Sequence, residues 1–257
     1  MITQGIIAAA RRRTAGWVDN YAVQYNGTDN GHYLDSPSFA SDTAGAIAVD
    51  VVIPTLLTSN GALNILSLLN NNTSAGNQFA LFATYQSSVY GDTKTHFSVQ
   101  GWAGGGWARA GAPAGITAGQ KYRVLFQSDG KIYIDGADAG PLIQHIASPR
   151  LWTGQWMLAA LTGSAPTTFG AGLRLRPDRS AVVFGQCNIN NLIYYNAPLT
   201  AAEATADHNG GVSFDRRSNA GLNAKLVEFW RFDGNGNAEI SSANNLTDYG
   251  TPIYIAP

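Results

Sequence analysis

The sequence predicts an all-β fold, either a sandwich or a barrel, built from many short strands. Two observations predict it: β-rich runs recur along the chain, and Gly, Asn, Asp and Pro separate them. Charged residues make up only 13% of the 257 residues, about half the usual share, and small or amide residues replace them. This bias favours strands and turns over solvated helices.

The strand pattern is spread over most of the chain. Strands are predicted at residues 21–25, 46–53, 63–69, 79–86, 96–100, 122–127, 131–135, 154–161, 169–176, 182–195 and 225–232. Asp129-Gly130 predicts a hairpin between the sixth and seventh of these. Cys187 is the only cysteine, which excludes an intrachain disulfide, and its strand context predicts a buried, unreactive thiol. Trp152 and Trp156 are predicted to be core residues.

Two helices interrupt this pattern. Thr200 and Glu203 have the spacing of a capping box, which predicts a helix that ends near Asn209. Residues 210–224 then look like a linker before a C-terminal strand pair. A short N-terminal helix is predicted from near-helical apolar spacing followed by cations, and residues 1–20 are predicted to dock or assemble. The candidate residues for this role are Ile2, Ile6, Ile7, Arg11, Arg12 and Arg13.

Three stretches of the chain resemble the concanavalin A-like lectins, and in particular laminin-G-like (LamG) domains. They are YNGTDNGHYLDSPSF (25–39), YRVLFQSDGKIYIDGADAG (122–140) and CNINNLIYYNAPLTAAEATADHNGG (187–211). The resemblance implies an antiparallel jelly-roll sandwich over residues 21–211. Residues 212–257 would form a linker and strands that complete or flank it. LVEFWRFDGNGNAEISSANNLTDYG (226–250) is similar to a family opening strand, so a remnant of a second module is the alternative.

Several function classes are disfavoured by composition. A net charge of −1 supplies no basic field for nucleic acid, and no apolar run approaches the roughly 20 residues of a membrane span. Some relatives in this superfamily are glycoside hydrolases, which need a pair of carboxylates. The chain has three glutamates: Glu203 is explained by capping, Glu228 is expected to face solvent beside Arg231, and Glu239 lies in a loop. The chain is therefore predicted not to be an enzyme.

Binding is the remaining class, and the segment GWAGGGWARAG (101–111) is its main candidate. It is predicted to be a Gly-rich, mobile loop that presents Trp102, Trp107 and Arg109 to a glycan or a protein partner. The alternative is that one or both indoles pack in the core. LamG-like domains sometimes bind calcium, for which the candidate ligands are Asp29, Asp35, Asp135 and Asp138; these aspartates are equally expected as ordinary turn residues. No other cofactor is expected.

The N-terminal order, apolar residues before the arginines, is the reverse of a secretory signal and predicts folding in the cytoplasm. A surface-recognition fold made there reaches the outside if it belongs to a phage particle. The prediction is therefore a phage virion structural protein, a tail-tip, fibre or capsid-decorating component, which binds host-surface glycan or stabilises the particle. Its partners would be other virion proteins and copies of itself, for example in a trimer. A free carbohydrate-binding module and a glycoside hydrolase are the alternatives.

Overall fold

The structure is a computed structural model that describes residues 22–35, 37, 43–69, 78–103, 106–145, 152–154, 156, 168–175 and 181–256. The predicted N-terminal helix and its six candidate docking residues lie outside the described part of the chain. No helix among the described residues combines the length and the apolar character needed to cross a membrane.

Antiparallel strands dominate the described chain. The strands are β1 Ala22–Asn26, β2 Gly31–Asp35, β3 Ala46–Val52, β4 Gly61–Leu69, β5 Gln78–Tyr85, β6 Thr95–Ala103, β7 Gly106–Gly115, β8 Lys121–Gln127, β9 Ile132–Ile134, β10 Ala137–Asp138, β11 Ile143–Gln144, β12 Thr168–Ala171, β13 Leu173–Leu175, β14 Ala181–Phe184, β15 Gln186–Tyr195, β16 Leu226–Trp230, β17 Thr247–Tyr249 and β18 Ile253–Ile255. The helices are α1 Ser87–Tyr90, α2 Ala201–His208 and α3 Ala220–Asn223.

Two sheets face each other across one core, as predicted for a sandwich. Sheet 1 has the order β10-β9-β8-β3-β15-β1-β18, with β16 also paired to β15. Sheet 2 has the order β11-β7-β6-β5-β4-β12-β2-β17. Alternation along β3 shows how the core forms, because Ile47, Val49 and Val51 point between the sheets while Asp50 points outward. Trp152 and Trp156 are buried in this core, as the sequence predicts.

The outer face of sheet 1 carries a second, smaller apolar cluster beneath α2 and α3. The capping box at the start of α2 forms as predicted: Thr200 accepts from the Glu203 amide, and Glu203 accepts from the Thr200 amide. Gly136 allows α2 to approach the β9–β10 turn, because its φ is +77° and a Cβ there would lie 3.0 Å from the Thr205 Cα. The tip of the β9–β10 hairpin is thereby locked against the helix.

The C-terminal part differs from the prediction in two respects. Residues 210–224 are not an extended linker, because they contain a 3₁₀ turn at Arg216–Ser218 and the helix α3. The last two strands do not pair with each other: β17 pairs with β2 in sheet 2, and β18 pairs with β1 in sheet 1. Each strand instead satisfies the unpaired backbone groups at an edge of one sheet.

Candidate functional site

The segment that contains Trp102 and Trp107 is a β-hairpin, so the prediction of a mobile loop was wrong over most of its length. β6 and β7 continue to Ala103 and Gly106, and Trp102 is the backbone partner of Trp107. β7 forms because its alternate residues Ala108 and Ala110 point into the core, where both are fully buried. The side chains of residues 102–107 lie outside the described part of the chain, so their glycan-binding role stays a prediction.

Arg109 is a fixed part of sheet 2. Its Nε donates to the Gln100 Oε1 at 2.9 Å, a second guanidinium nitrogen donates to the same oxygen, and the guanidinium lies 5.1 Å from the Phe82 ring centroid. Its backbone carbonyl accepts from the His145 amide. Arg109 is therefore positioned by packing and hydrogen bonds on the sheet beside the hairpin tip.

Two of the four aspartates considered for calcium lie at opposite ends of β2, and the other two lie in the β9–β10 hairpin. Asp29 accepts from Asn26 Nδ2 at 2.6 Å in the β1–β2 turn, and Asp35 is the last residue of β2. Asp135 accepts from the Arg123 amide at 2.8 Å, and Asp138 accepts from the Gly140 amide at 2.9 Å. Within the described ranges, no three His, Cys, Asp or Glu side chains converge on a point that would hold a metal ion.

A buried charged network, which the sequence did not reveal, joins α2 to the outer face of sheet 1. Arg123 donates to both carboxylate oxygens of Asp207, at 2.8 and 2.9 Å, and to Asp50 at 3.0 Å. Asn191 donates to Asp50 at 2.8 Å, and the Tyr195 hydroxyl donates to Asp207 at 2.5 Å. We call Asp50, Arg123, Asn191, Tyr195, Asp207 and Arg216 the ionic network. Asp50 and Arg123 meet because they lie directly opposite each other in the pairing of β3 with β8.

The charges of the ionic network compensate one another. Burial by itself would raise the pKa of Asp207, but the guanidinium groups of Arg123 and Arg216 outweigh it and lower that pKa to about 2. Burial likewise opposes ionisation of Asp50, yet Arg123, Lys121 and the Asn191 hydrogen bond bring its pKa below the usual value. Both carboxylates therefore stay ionised at neutral pH and have their hydrogen-bond partners inside the protein. This arrangement is typical of a structural clamp.

Glu228 also differs from the prediction, because it is fully buried and does not face solvent. Its carboxylate accepts from the Phe229, Ile240 and Ser241 amides and from Asn244 Nδ2, at 2.9 to 3.1 Å. It thereby holds the segment after β16 in place. Cys187 is buried as predicted, and burial raises the pKa of its thiol to about 12, so the thiolate nucleophile is not formed at neutral pH.

An open cleft lies where an edge of sheet 1 meets an edge of sheet 2, between the β8–β9 turn, the β10–β11 segment and the residues around Trp152. Its volume is about 430 Å³. We call it the rim cleft. The side chains that define it are Asp129, Lys131, Asp138, Leu142, Gln144 and Trp152. Among these residues the sequence had proposed only Asp138 as a binding residue, and for calcium, because the cleft depends on how three segments between residues 129 and 153 fold together.

The floor of the rim cleft is held by a reciprocal pair of hydrogen bonds. The Trp152 amide donates to Gln144 Oε1 at 2.7 Å, and Gln144 Nε2 donates to the Trp152 carbonyl at 3.2 Å. Trp152 is only 4% exposed, and its indole Nε1 donates to the Gly130 carbonyl at 3.4 Å. The charged side chains of the walls are exposed to solvent: Lys131 and Asp138 are about half exposed, and their charged atoms are 3.9 Å apart.

Comparison with known proteins identifies the fold and no closer relationship. No family model matches the sequence, and no curated protein matches it. A heptameric SAP-like pentraxin from Limulus polyphemus superposes with a TM-score of 0.56 and 14% identity, over 93% of this chain and 95% of that one. A candidate carbohydrate-binding protein from Bacteroides ovatus superposes with a TM-score of 0.54 and 13% identity, over 92% of this chain.

The chain spans 60% of the length of the Bacteroides ovatus protein. Identities this low carry information about the fold and none about individual site residues. The two-sheet topology and these superpositions together agree with the resemblance seen in the sequence. The chain has the concanavalin A-like jelly-roll fold.

Proposed function

We propose that this chain is a lectin-like, non-catalytic module that binds glycan, and that it does so as a component of a phage virion. The observation that carries the binding half of the proposal is the rim cleft. Its volume falls in the range of small-molecule sites, and its lining combines charged and polar side chains with Pro141 and Leu142. One of the two solved structures above supports the same interpretation, since it is named as a candidate carbohydrate-binding protein.

Four carboxylates outside the rim cleft are unavailable for hydrolysis. Glycoside hydrolysis commonly uses two carboxylates across one bond, one of them a proton donor. Glu203 caps α2 and is 2.7 Å from Lys225 Nζ, and Glu228 is enclosed by four donors. Asp50 and Asp207 are bound to Arg123. These groups are already engaged in holding the fold together.

A glycan array with the full-length chain tests the binding half. We expect saturable binding to a defined set of oligosaccharides. An absence of binding to every glycan on a broad array would contradict this half. Release of a reducing sugar on prolonged incubation would contradict the non-catalytic assignment.

The virion half of the proposal rests on two features of the sequence, which are the predicted N-terminal docking segment and the absence of an intrachain disulfide bond. Light scattering of the full-length chain tests it against a double variant, Ile6→Asp with Ile7→Asp. We expect the wild-type chain to form a homo-oligomer and the variant to be a folded monomer. Two monomers of equal stability would favour a free carbohydrate-binding module instead.

A further inference from the structure

The rim cleft has a charge pattern that restricts which glycans it can accept. We infer that it binds an uncharged sugar residue, that it recognises the hydroxyl groups through Asp129 and Asp138, and that it needs no divalent cation. This inference rests on the proposed glycan-binding function, and it names the ligand class and the residues of that site.

The two carboxylates have unused acceptor capacity that faces the cleft. Asp129 accepts from the Lys131 amide at 3.1 Å through Oδ1 and from Gln127 Nε2 at 3.3 Å through Oδ2. Asp138 accepts from the Gly140 amide through Oδ1. A carboxylate has about four lone-pair sites, so these bonds orient each group without saturating it. Sugar hydroxyl groups are hydrogen-bond donors that would fill the remaining acceptor sites of the two carboxylates.

The apolar part of the cleft suits a sugar ring. Leu142 is half-buried and packs against the core, and Pro141 lies beside it on the wall. Trp152 also lines the cleft but is almost fully buried, and its indole Nε1 donates to the Gly130 carbonyl. The C–H surface of a pyranose would meet this wall while its hydroxyls meet the carboxylates. The division into an apolar wall and a few polar groups is the usual form of a small-ligand site.

The described charges of the cleft disfavour acidic sugars. Among the described residues that line it, the charged groups are two carboxylates, Asp129 and Asp138, and one ammonium group, Lys131. Lys131 lies 3.9 Å from Asp138 Oδ2, so its charge is already partly compensated. A sialic acid or sulfated sugar would bring a further negative charge beside these two carboxylates, and the repulsion between like charges disfavours such a ligand.

The same lysine argues against a calcium ion between the two carboxylates. Calcium binds six to eight oxygens, and a cation at this position would have to displace or repel the Lys131 ammonium. One nearby carbonyl, that of Gly130, already accepts a hydrogen bond from the Trp152 indole. The carboxylates are therefore arranged to bind hydroxyl groups directly.

The test uses the full-length chain and an array that pairs neutral oligosaccharides with their sialylated and sulfated forms, in buffer with calcium or with EDTA. The site variant is Asp129→Asn with Asp138→Asn, which keeps shape and removes charge. The matched control is Asp248→Asn, an exposed aspartate on β17, at the sheet edge opposite β11. Thermal unfolding confirms that all variants remain folded.

We expect binding to neutral glycans that is unchanged by EDTA, falls at least tenfold in the site variant and persists in the control. Preference for the acidic partner of each pair, or loss of binding in EDTA, would overturn the inference and leave glycan binding intact. Neutral binding that the site variant retains and that Trp102→Ala with Trp107→Ala abolishes would also overturn it, and would move the site to the hairpin. Binding to none of the glycans would overturn both the inference and the proposed function.

Discussion

Charged side chains gather in two regions of this molecule, and the regions differ in what surrounds them. In the ionic network, Arg123 and Asp207 are almost fully buried and their polar atoms bind one another. In the rim cleft, Lys131 and Asp138 are about half exposed, and their nearest charged atoms are 3.9 Å apart. The comparison teaches that clustering of charge does not by itself indicate a binding site. A site needs groups that are oriented by the fold and still open to a ligand.

The largest difference between the two regions should appear in stability when one partner is removed. Arg123→Met would remove the cation that Asp50 and Asp207 share and leave Arg216 beside Asp207 and Lys121 beside Asp50; breaking a buried pair costs roughly 3 to 5 kcal/mol. We expect a loss of that size in the free energy of unfolding, measured by urea denaturation. A loss below about 1 kcal/mol would mean that water reaches the network and that it is not a clamp.

Lowering the pH should also destabilise the ionic network, by less than the Arg123→Met substitution does. The pKa of Asp207 is about 2 in the folded chain and 3.8 for the free side chain, so the unfolded chain binds more protons between these values. Stability from this group is complete above pH 4 and is lost as the pH falls towards 2, by about 2 kcal/mol. Denaturation curves between pH 4 and pH 2 should show this loss.

The variant Asp207→Asn is the comparison for this acid effect. It should be less stable at neutral pH, and its unfolding free energy should decrease less steeply between pH 4 and pH 2. Equal slopes in the two proteins would show that Asp207 is not the group responsible. His32 does not interfere, because burial lowers its pKa to about 4 and its acid loss therefore falls between pH 6.5 and 4.

The hydrogen bonds that hold the floor of the rim cleft should contribute less to the free energy of unfolding than the ionic network does. Gln144→Leu removes both hydrogen bonds to the Trp152 backbone, which predicts a loss of about 1 to 2 kcal/mol in the free energy of unfolding. Because Trp152 forms the floor, glycan affinity should fall as well. Gln144→Glu keeps the acceptor for the Trp152 amide and should have the smaller effect. An unchanged stability for Gln144→Leu would argue that the floor is held by core packing alone.

The smallest effect on stability is expected at the exposed wall of the cleft. Lys131→Met removes an exposed ammonium whose ion pair with Asp138 is long, so the unfolding free energy should change by no more than about 0.5 kcal/mol. Binding should respond instead, since the cleft becomes more negative and discriminates more strongly against acidic glycans. A destabilisation comparable to that of Arg123→Met would erase the distinction between the two regions.

Local sequence patterns predicted much of the fold because they depend on neighbouring residues. The α2 capping box, the Asp129-Gly130 hairpin and the burial of Cys187 each follow from a short stretch of chain. The errors arose where distant segments decide. Glu228 looked solvent-exposed by alternation, yet the segment at 240–244 folds over it and supplies its donors. The Gly-rich segment at 101–111 looked like a mobile loop, yet its described residues up to Ala103 and from Gly106 pair as strands β6 and β7.

The sequence by itself determined that this chain forms an all-β fold of short strands with a capped helix, because strand alternation, turn residues and capping are encoded within a few positions; the choice of a sandwich over a barrel came from the family resemblance. Only the tertiary structure decided which charged residues are closed off and which remain open. Asp50, Arg123 and Asp207 come together across three separate elements, and Asp129, Asp138 and Trp152 meet where two sheet edges converge. Hydrogen-bond partners and solvent exposure at such places depend on contacts between segments far apart in the chain, which no local pattern specifies.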